Sequence, residues 1–269
     1  MLGSSVAWRC ARVVIAGLLG AGSAYADHCQ PPGPLPPGEV GLRVAATVEA
    51  AHYDYGGDRG NYQGTSLGLG YERSAFRVQL SLPAYRLTRN DDTFYGLGDA
   101  TADGRFTLLR TADDSVSAGL GLTAMAPTGS AARDLGMGHV MLMPAVWGLA
   151  EKGGAFVQLQ LAFARALSRD APEHAHHAEP RLHPIVRPMN TSELVASASA
   201  GYPVHELLRV QAGLYTALPV DTPDGESRAV ASAGVDFIPG TFDLALEAQA
   251  PVVGDPFTLK GVATAGARF

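Results

Sequence analysis

The sequence predicts an all-β protein, a transmembrane antiparallel β-barrel of about twelve strands that follows a cleaved signal peptide. Three observations lead to this prediction. Apolar and polar residues alternate along most of the chain, which is the period of a strand with two different faces. The connections between these segments alternate between short and long. The chain closes on a strand-like segment whose last residue is the aromatic Phe269.

The first 26 residues have the pattern of a secretory signal peptide. Arg9 and Arg12 precede a short apolar stretch at 13–19, and an A-x-A cleavage site ends at Ala26. The apolar stretch is too short to span a bilayer, so we expect cleavage after Ala26. The predicted organisation is a signal peptide over 1–26, a Pro-rich periplasmic segment over 27–38 and a barrel over 39–269.

Period-two alternation continues through the rest of the chain, while Gly and Pro interrupt every helical pattern. It is clearest in the segments 76–84, 157–163, 208–218 and 242–250. The twelve predicted strands lie near 39–52, 61–72, 75–87, 96–110, 115–126, 138–150, 154–168, 191–202, 206–218, 228–237, 241–250 and 258–269.

The connections between the predicted strands fall into two classes that alternate along the chain. Five are short, and six are longer, at 53–60, 88–95, 127–137, 169–190, 219–227 and 251–257. Outer-membrane barrels have short periplasmic turns and longer outer loops. Because lipid offers no hydrogen bonds, the sheet must close on itself, and an even number of strands returns both termini to the periplasmic side.

The barrel prediction assigns the apolar face of each strand to lipid and the polar face to a lumen that we expect to be filled with water. A charge placed at the lipid-facing Leu159 or Leu246 should therefore destabilise the barrel. The predicted lumen residues are Arg77, Gln79, Gln158, Gln160, Arg209, Asp243, Glu247, Lys260 and Arg268. A last strand that ends on Phe269 is similar to the assembly signal of bacterial outer-membrane barrels, so the expected partners are outer-membrane lipid, the barrel-assembly machinery and a small-molecule solute.

Short glycine-rich motifs in the middle of the chain carry a family resemblance. Residues 96–99 read GLGD, residues 127–129 read PTG, and residues 135–138 read LGMG. This series resembles the outer-membrane family described as transporters of the meta-pathway of phenol degradation, over roughly residues 60–269. The resemblance implies a Gram-negative outer-membrane barrel of about this size that passes small, often hydrophobic or aromatic molecules. The residues themselves also admit a structural role, as a bend at the barrel rim and a turn.

The longest predicted loop, at 169–190, is rich in histidine. Imidazole and carboxylate groups are ligands for Zn²⁺ and Cu²⁺, and the alternative is a solvated polar loop. The mature N-terminus offers a second, weaker candidate, because its Cys29 is the only cysteine left after Cys10 is removed with the signal peptide. The candidate metal ligands are Glu173, His174, His176, His177, His183, His28 and Cys29.

Composition and motifs exclude several classes of function. The formal net charge is −6, which gives no basic surface for nucleic acid, and no motif of a hydrolase, metalloprotease or phosphate-binding enzyme is present. We therefore expect a passive channel rather than an enzyme. The alternatives are a surface barrel that captures metal on the His-rich loop, linked to metal handling or resistance, and a purely structural barrel.

Overall fold

The computed structural model describes residues 41–55, 57–73, 75–167, 184–221, 225–237 and 241–269. The predicted signal peptide and Pro-rich segment lie outside these ranges. Thirteen strands form a single sheet: β1 (Gly41–Tyr55), β2 (Asp58–Arg73), β3 (Phe76–Arg89), β4 (Asp92–Leu97), β5 (Ala100–Arg110), β6 (Val116–Ala126), β7 (Met141–Lys152), β8 (Ala155–Ala166), β9 (Ser192–His205), β10 (Leu208–Pro219), β11 (Arg228–Phe237), β12 (Phe242–Val253) and β13 (Phe257–Arg268).

The sheet closes into a barrel because its first and last strands are neighbours. β1 pairs antiparallel with both β2 and β13, and β2 pairs with β3. β4 and β5 lie end to end against β3, so they form two halves of one span. The wall is a closed antiparallel barrel of twelve spans, which confirms the predicted fold. Within the described residues, no helix is long and apolar enough to cross a membrane.

Three of the predicted long loops are wrong, because the strands continue into them and leave tight hairpins. In the 251–257 segment, β12 ends at Val253 and β13 begins at Phe257. The 53–60 segment belongs to β1 and β2, and the 88–95 segment belongs to β3 and β4. Asn90 adopts a left-handed φ of 52°, which Asn tolerates in turns. Its side chain accepts a hydrogen bond from the Arg59 backbone N–H at 3.1 Å and donates one to Asp58 at 3.0 Å. The two hairpins therefore support each other, and the wall extends further at this end.

The outer face of the barrel is apolar, as the alternation predicts. Leu67, Leu159 and Leu246 are 71%, 56% and 49% exposed, which fits a surface that contacts lipid. Both described chain ends meet at one end of the barrel, where the Phe269 N–H donates to the Leu42 carbonyl at 2.9 Å. We call this the terminus end, and we call the opposite end the rim. The role of Phe269 as an assembly signal stays a prediction.

One turn at the terminus end, between β5 and β6, contains a carboxyl with a shifted pKa. Hydrogen bonds from the side chain of Thr111, and then from Ser115, lower the pKa of Asp113 to about 2. The Ser115 hydroxyl donates to Asp113 Oδ1 at 2.8 Å. The exposed carboxylate therefore stays ionised through the neutral range and orders the turn.

The expectation of a uniformly polar interior is wrong. Three buried apolar clusters lie among the inward-facing side chains, and the two larger ones are at the rim end. The reason is that several strands are apolar on both faces near the rim and that parts of two connections fold inward. The segment 134–137 and the segment 184–186 are both buried.

Candidate functional site in the barrel interior

The predicted lumen residues all belong to the inner face of the wall. Glu247 and Arg268 are only half-buried. Their neighbours along the strand lie on the lipid-facing side, which places these two residues on the inner face. The buried members of the set are Arg77, Gln79, Gln158, Gln160, Arg209, Asp243 and Lys260. Their role in permeation stays a prediction.

Three of the buried ion pairs lie in the half of the interior at the terminus end. Arg77 Nη1 lies 2.8 Å from Glu72 Oε1, and these two residues are direct partners in the β2–β3 register. Arg209 donates from Nε to Asp236 Oδ2 at 2.9 Å, again between direct partners, on β10 and β11. Strand register alone therefore sets each charge opposite its counter-charge.

A third ion pair crosses an intervening strand. Arg43 on β1 donates from Nη2 to Asp243 Oδ2 on β12 at 2.9 Å, and β13 lies between them. Gly266 on β13 makes this contact possible, because a Cβ there would lie 2.7 Å from the carboxylate oxygens and 2.9 Å from the guanidinium. We call these three pairs the charged girdle: Arg43–Asp243, Glu72–Arg77 and Arg209–Asp236.

Aromatic rings and amides complete the interior beside the charged girdle. The Arg105 guanidinium lies 5.4 Å from the ring centre of Trp147 and donates to Gln160 Oε1 at 3.3 Å. Arg209 lies 4.7 Å from the ring centre of Phe156. Cation–π contacts of this kind hold a guanidinium in a desolvated place, so these two arginines are fixed in position.

The rim half of the interior is apolar and rich in methionine. Every methionine of the sequence except Met1 belongs to one buried cluster here. We call this cluster the rim chamber. Its members are Met125, Met137, Met141, Met143, Ala162, Ala164, Ala166, Met189, Val195, Tyr215 and Ala217.

A second apolar cluster lies at the rim beside the chamber and is mainly aromatic. Tyr62 and Tyr85 pack edge to face with ring centres 6.3 Å apart, and the Tyr53 hydroxyl donates to the Thr88 carbonyl at 3.0 Å. The cluster consists of Ala51, Tyr53, Tyr62, Tyr85, Leu87, Leu135, Ile185, Val186, Val230 and Phe257. Its strand members come from β1, β2, β3, β11 and β13, whereas the inward segments connect β6 to β7 and β8 to β9. The inward segments therefore reach across the interior.

The connection between β6 and β7 is held inside the rim by Asp99 and by a buried ion pair, in which Arg89 Nη1 lies 2.7 Å from Asp134 Oδ2. Asp99 accepts hydrogen bonds from the Gly129 N–H at 2.9 Å and the Met137 N–H at 2.6 Å. The Thr128 hydroxyl donates to the Gly98 carbonyl at 2.6 Å. We call this group the rim clamp. The rim clamp lies at the break between β4 and β5. Asp99 lies between these two strands, so its carboxylate can turn inward.

The rim clamp brings together the three motifs that carry the family resemblance, GLGD, PTG and LGMG. A Cβ on Gly129 would lie 2.4 Å from the Leu135 carbonyl oxygen, and a Cβ on Gly136 would lie 2.4 Å from Asp99 Oδ1. Both positions therefore need glycine for the backbones to approach. The geometry gives the motifs a structural role, which is the alternative that the residues themselves offered.

The inward segment 184–190 is anchored by a fully buried ion pair. Arg228 Nη2 lies 2.6 Å from Glu193 Oε2, and neither side chain is accessible to solvent. The same carboxylate accepts from the backbone N–H and the side-chain amide of Asn190, at 2.9 and 2.8 Å. At the other end of the segment, Arg187 Nη1 donates to Thr101 Oγ1 at 3.2 Å.

The predicted metal ligands lie outside the described residues, both in the His-rich loop at 173–183 and at the mature N-terminus. Among the described residues, no group of three His, Cys, Asp or Glu is placed to hold a metal ion. The sequence reasoning missed the methionine cluster and the Glu193–Arg228 pair. A signal for the first existed, because Met141 and Met143 have strand spacing and every methionine except Met1 lies within 125–189.

No protein-family profile and no curated protein sequence matches the chain. Several solved structures, however, match the fold of this chain. An outer membrane channel from Pseudomonas putida F1 is 14% identical, covers 87% of this chain and 97% of its own, and superposes with a TM-score of 0.62. The KdgM porin is 6% identical, covers 83% of this chain and 99% of its own, and has a TM-score of 0.50.

The fold and the lipid-facing wall together define the class of this protein. It is a β-barrel of the bacterial outer membrane, with the same architecture as these two solved structures. At such low identities the likeness establishes the fold, and the function must be argued from the interior of this barrel.

Proposed function

We propose that the protein is a passive outer-membrane channel for small, uncharged and largely apolar molecules, aromatic ones included. The observation that carries the proposal is the division of the interior into an apolar rim chamber and a charge-neutral girdle. By the predicted orientation, the rim faces outside and a solute meets the chamber first.

The rim chamber provides the chemistry that an apolar solute needs. Its methionine side chains are unbranched and polarisable, so they adapt to ligands of different shapes. The alanines of β8 and β10 add small apolar side chains to the same cluster, and Ala164 and Ala217 are fully buried in it. Ligand sites are commonly apolar walls with a few polar groups, and the neighbouring tyrosines provide those groups.

The charged girdle gives no preference to ions of either sign. Each arginine of its three pairs faces a carboxylate within hydrogen-bond distance, so the net charge of the three pairs is zero. A selective ion channel needs an excess of one sign to concentrate its ion. The girdle therefore favours uncharged solutes, which do not have to compete with the internal ion pairs.

The comparisons support the proposal at the level of fold. The two superposed structures are a channel and a porin rather than enzymes, and the resemblance of the rim motifs points to a family that passes small, often hydrophobic molecules. Neither result identifies a solute for this chain.

The test is uptake into intact cells that lack or express the protein. Intact cells are needed because a plain phospholipid bilayer is itself permeable to apolar solutes. Toluene, benzoate and benzylamine are suitable probes, because they share one ring and differ in charge. Expression should accelerate uptake of toluene and leave uptake of the two ions nearly unchanged. Equal uptake of all three probes with and without the protein would contradict the proposal.

A matched pair of variants locates the path. Ala217→Phe fills the rim chamber and should abolish the gain in toluene uptake. Ala248→Phe adds the same ring to the exposed outer face of β12 and should leave uptake unchanged. Equal loss in both variants would show that the effect is one of folding rather than of passage.

A further inference from the structure

The distribution of methionine in this barrel differs sharply from that of leucine. Leucine is the main residue of the outer wall, and the rim chamber, as far as the structure describes it, contains no leucine or isoleucine. All methionines other than Met1 lie in the chamber, at 1% to 8% exposure. Packing alone does not require this separation, because Leu and Met are interchangeable in most cores.

Strand register sets three of the thioethers side by side. Met125 on β6 and Met141 on β7 are direct cross-strand partners, which places their Cβ atoms about 4.5–5.5 Å apart. Met143 is the next residue on the same face of β7, opposite Thr123. Methionine has three rotatable side-chain bonds, so these three sulfur atoms can turn toward one point in front of the ladder.

The two inward segments add further thioethers to the same place. Met137 lies in the connection held by Asp99, and Met189 immediately precedes Asn190, which binds Glu193. Both belong to the same cluster as the strand methionines. The chamber thus collects five neutral sulfur donors from four parts of the chain.

We propose that the rim chamber is a binding site for a soft monovalent cation, Cu(I) or Ag(I), with Met125, Met141 and Met143 as ligands and Met137 or Met189 as a fourth. Thioethers select Cu(I) among the physiological transition metals. The thioethers are neutral, and the buried Glu193 carboxylate opposite Ala164 is already paired with Arg228. The cost of burying an ion rises steeply with its charge, so we expect the site to favour a monovalent cation over Zn²⁺.

This site uses none of the residues of the predicted His-rich loop site and does not rest on the proposed channel function. Met→Leu substitutions distinguish the two proposals, because they remove sulfur and keep an apolar side chain of similar volume. The triple variant Met125→Leu, Met141→Leu, Met143→Leu should lose cation binding, and its test is the silver titration rather than solute uptake. Ala217→Phe, in contrast, tests passage.

The experiment is a titration of the purified, detergent-solubilised protein with Ag(I) in chloride-free buffer. The matched control variant carries Cys29→Ser together with His174→Ala, His176→Ala and His177→Ala, which removes the thiol of the mature chain and three imidazoles of the His-rich loop. We expect this control to retain a tight silver site. We expect the triple Leu variant to bind silver about tenfold more weakly or worse. Wild-type affinity in the triple Leu variant, or loss of the tight site in the control, would overturn the proposal.

X-ray absorption of the silver-loaded control variant keeps the proposal falsifiable if the triple Leu variant does not fold. Sulfur atoms alone should surround the silver ion, since methionine is the remaining source of sulfur in the mature chain. A first shell of nitrogen or oxygen would overturn the proposal without reference to any Leu variant. Gel mobility of boiled and unboiled samples reports whether each variant is folded.

Discussion

The two halves of the barrel interior are built by different means. In the charged girdle, strand register alone pairs each arginine with its carboxylate, either directly or across one glycine. In the rim chamber, the wall strands provide only part of the cluster, and the connections at 127–140 and 184–190 provide the rest. The girdle is therefore a property of the wall, whereas the chamber depends on how two inward segments are held.

This difference predicts where the protein is sensitive to substitution. The contacts that hold the inward segments are few, and each serves several partners, as Asp99 and Glu193 do. The methionine, alanine and valine side chains of the chamber carry no hydrogen-bond donor and can be exchanged for others of similar volume. The strongest effects should thus come from the anchors of the chamber rather than from its lining.

The largest effect is expected for Glu193→Gln, which leaves the Arg228 charge buried without its counter-charge. Breaking a fully buried ion pair in this way costs about 3–5 kcal/mol. The measurement is urea unfolding of the barrel refolded in vesicles, followed by the fluorescence of Trp147, the only tryptophan outside the predicted signal peptide.

A matched control for this variant is Asp54→Asn at the exposed hairpin. Asp54 pairs with Arg59 at 3.0 Å, but their side chains are 48% and 77% exposed. Solvent screening should limit the loss there to less than about 1 kcal/mol. If both variants unfolded at the same urea concentration, the anchor role of Glu193 would be wrong.

The next effect concerns the outer wall, where the stability change on substitution should depend on contact with lipid and not on the residues inside the barrel. Leu246→Arg places a charge in lipid on the strand that carries Asp243, and the expected loss is about 2–4 kcal/mol. Leu246→Phe keeps the position apolar and should be nearly neutral in the same unfolding assay. A neutral Leu246→Arg would mean that this face does not meet the hydrocarbon core.

Asp99→Ala should destabilise the barrel less than the two preceding variants, but it should also change the rate of solute passage. The variant removes the acceptor for the Gly129 and Met137 amides, at a cost of about 1–3 kcal/mol. It should free the connection from the rim and raise toluene uptake. Asp99→Asn keeps one acceptor oxygen and should lie between the two. If Asp99→Ala took up toluene at or below the wild-type rate, the hypothesis that the rim clamp limits passage would be wrong.

The sequence predicted the wall far better than the contents of the barrel. Alternation is explicit wherever the inner residue is polar, as in Gln158 and Gln160 among apolar neighbours, so it predicted the strands and three of the six girdle residues, Arg77, Arg209 and Asp243. On β7 the inward residues Met141, Met143 and Trp147 are as apolar as their outward neighbours. A period of two cannot separate such faces, so alternation did not reveal the rim chamber, and only the clustering of the methionines hinted at it.

The rim clamp could not be predicted because its contacts join distant parts of the chain. The Asp99 carboxylate binds amides thirty and thirty-eight residues away, and nothing local to GLGD specifies those partners. The tight hairpin at Asn90 was missed for a related reason. Its polar residues are typical of a long loop, but Asn90 forms a left-handed turn that is supported by Asp58 and Arg59 of the neighbouring hairpin.

The smallest expected effect compares one substitution to leucine in each half. Met141→Leu changes little in volume or polarity, so the loss should stay below about 1.5 kcal/mol. Gln160→Leu, in contrast, removes the acceptor of the Arg105 guanidinium and should cost about 1–3 kcal/mol. Equal losses of unfolding free energy in the two variants would contradict the idea that the chamber depends on side-chain volume and the girdle region on hydrogen bonds. A loss at Met141 that exceeds the loss at Gln160 would mean that the chamber too depends on directional contacts.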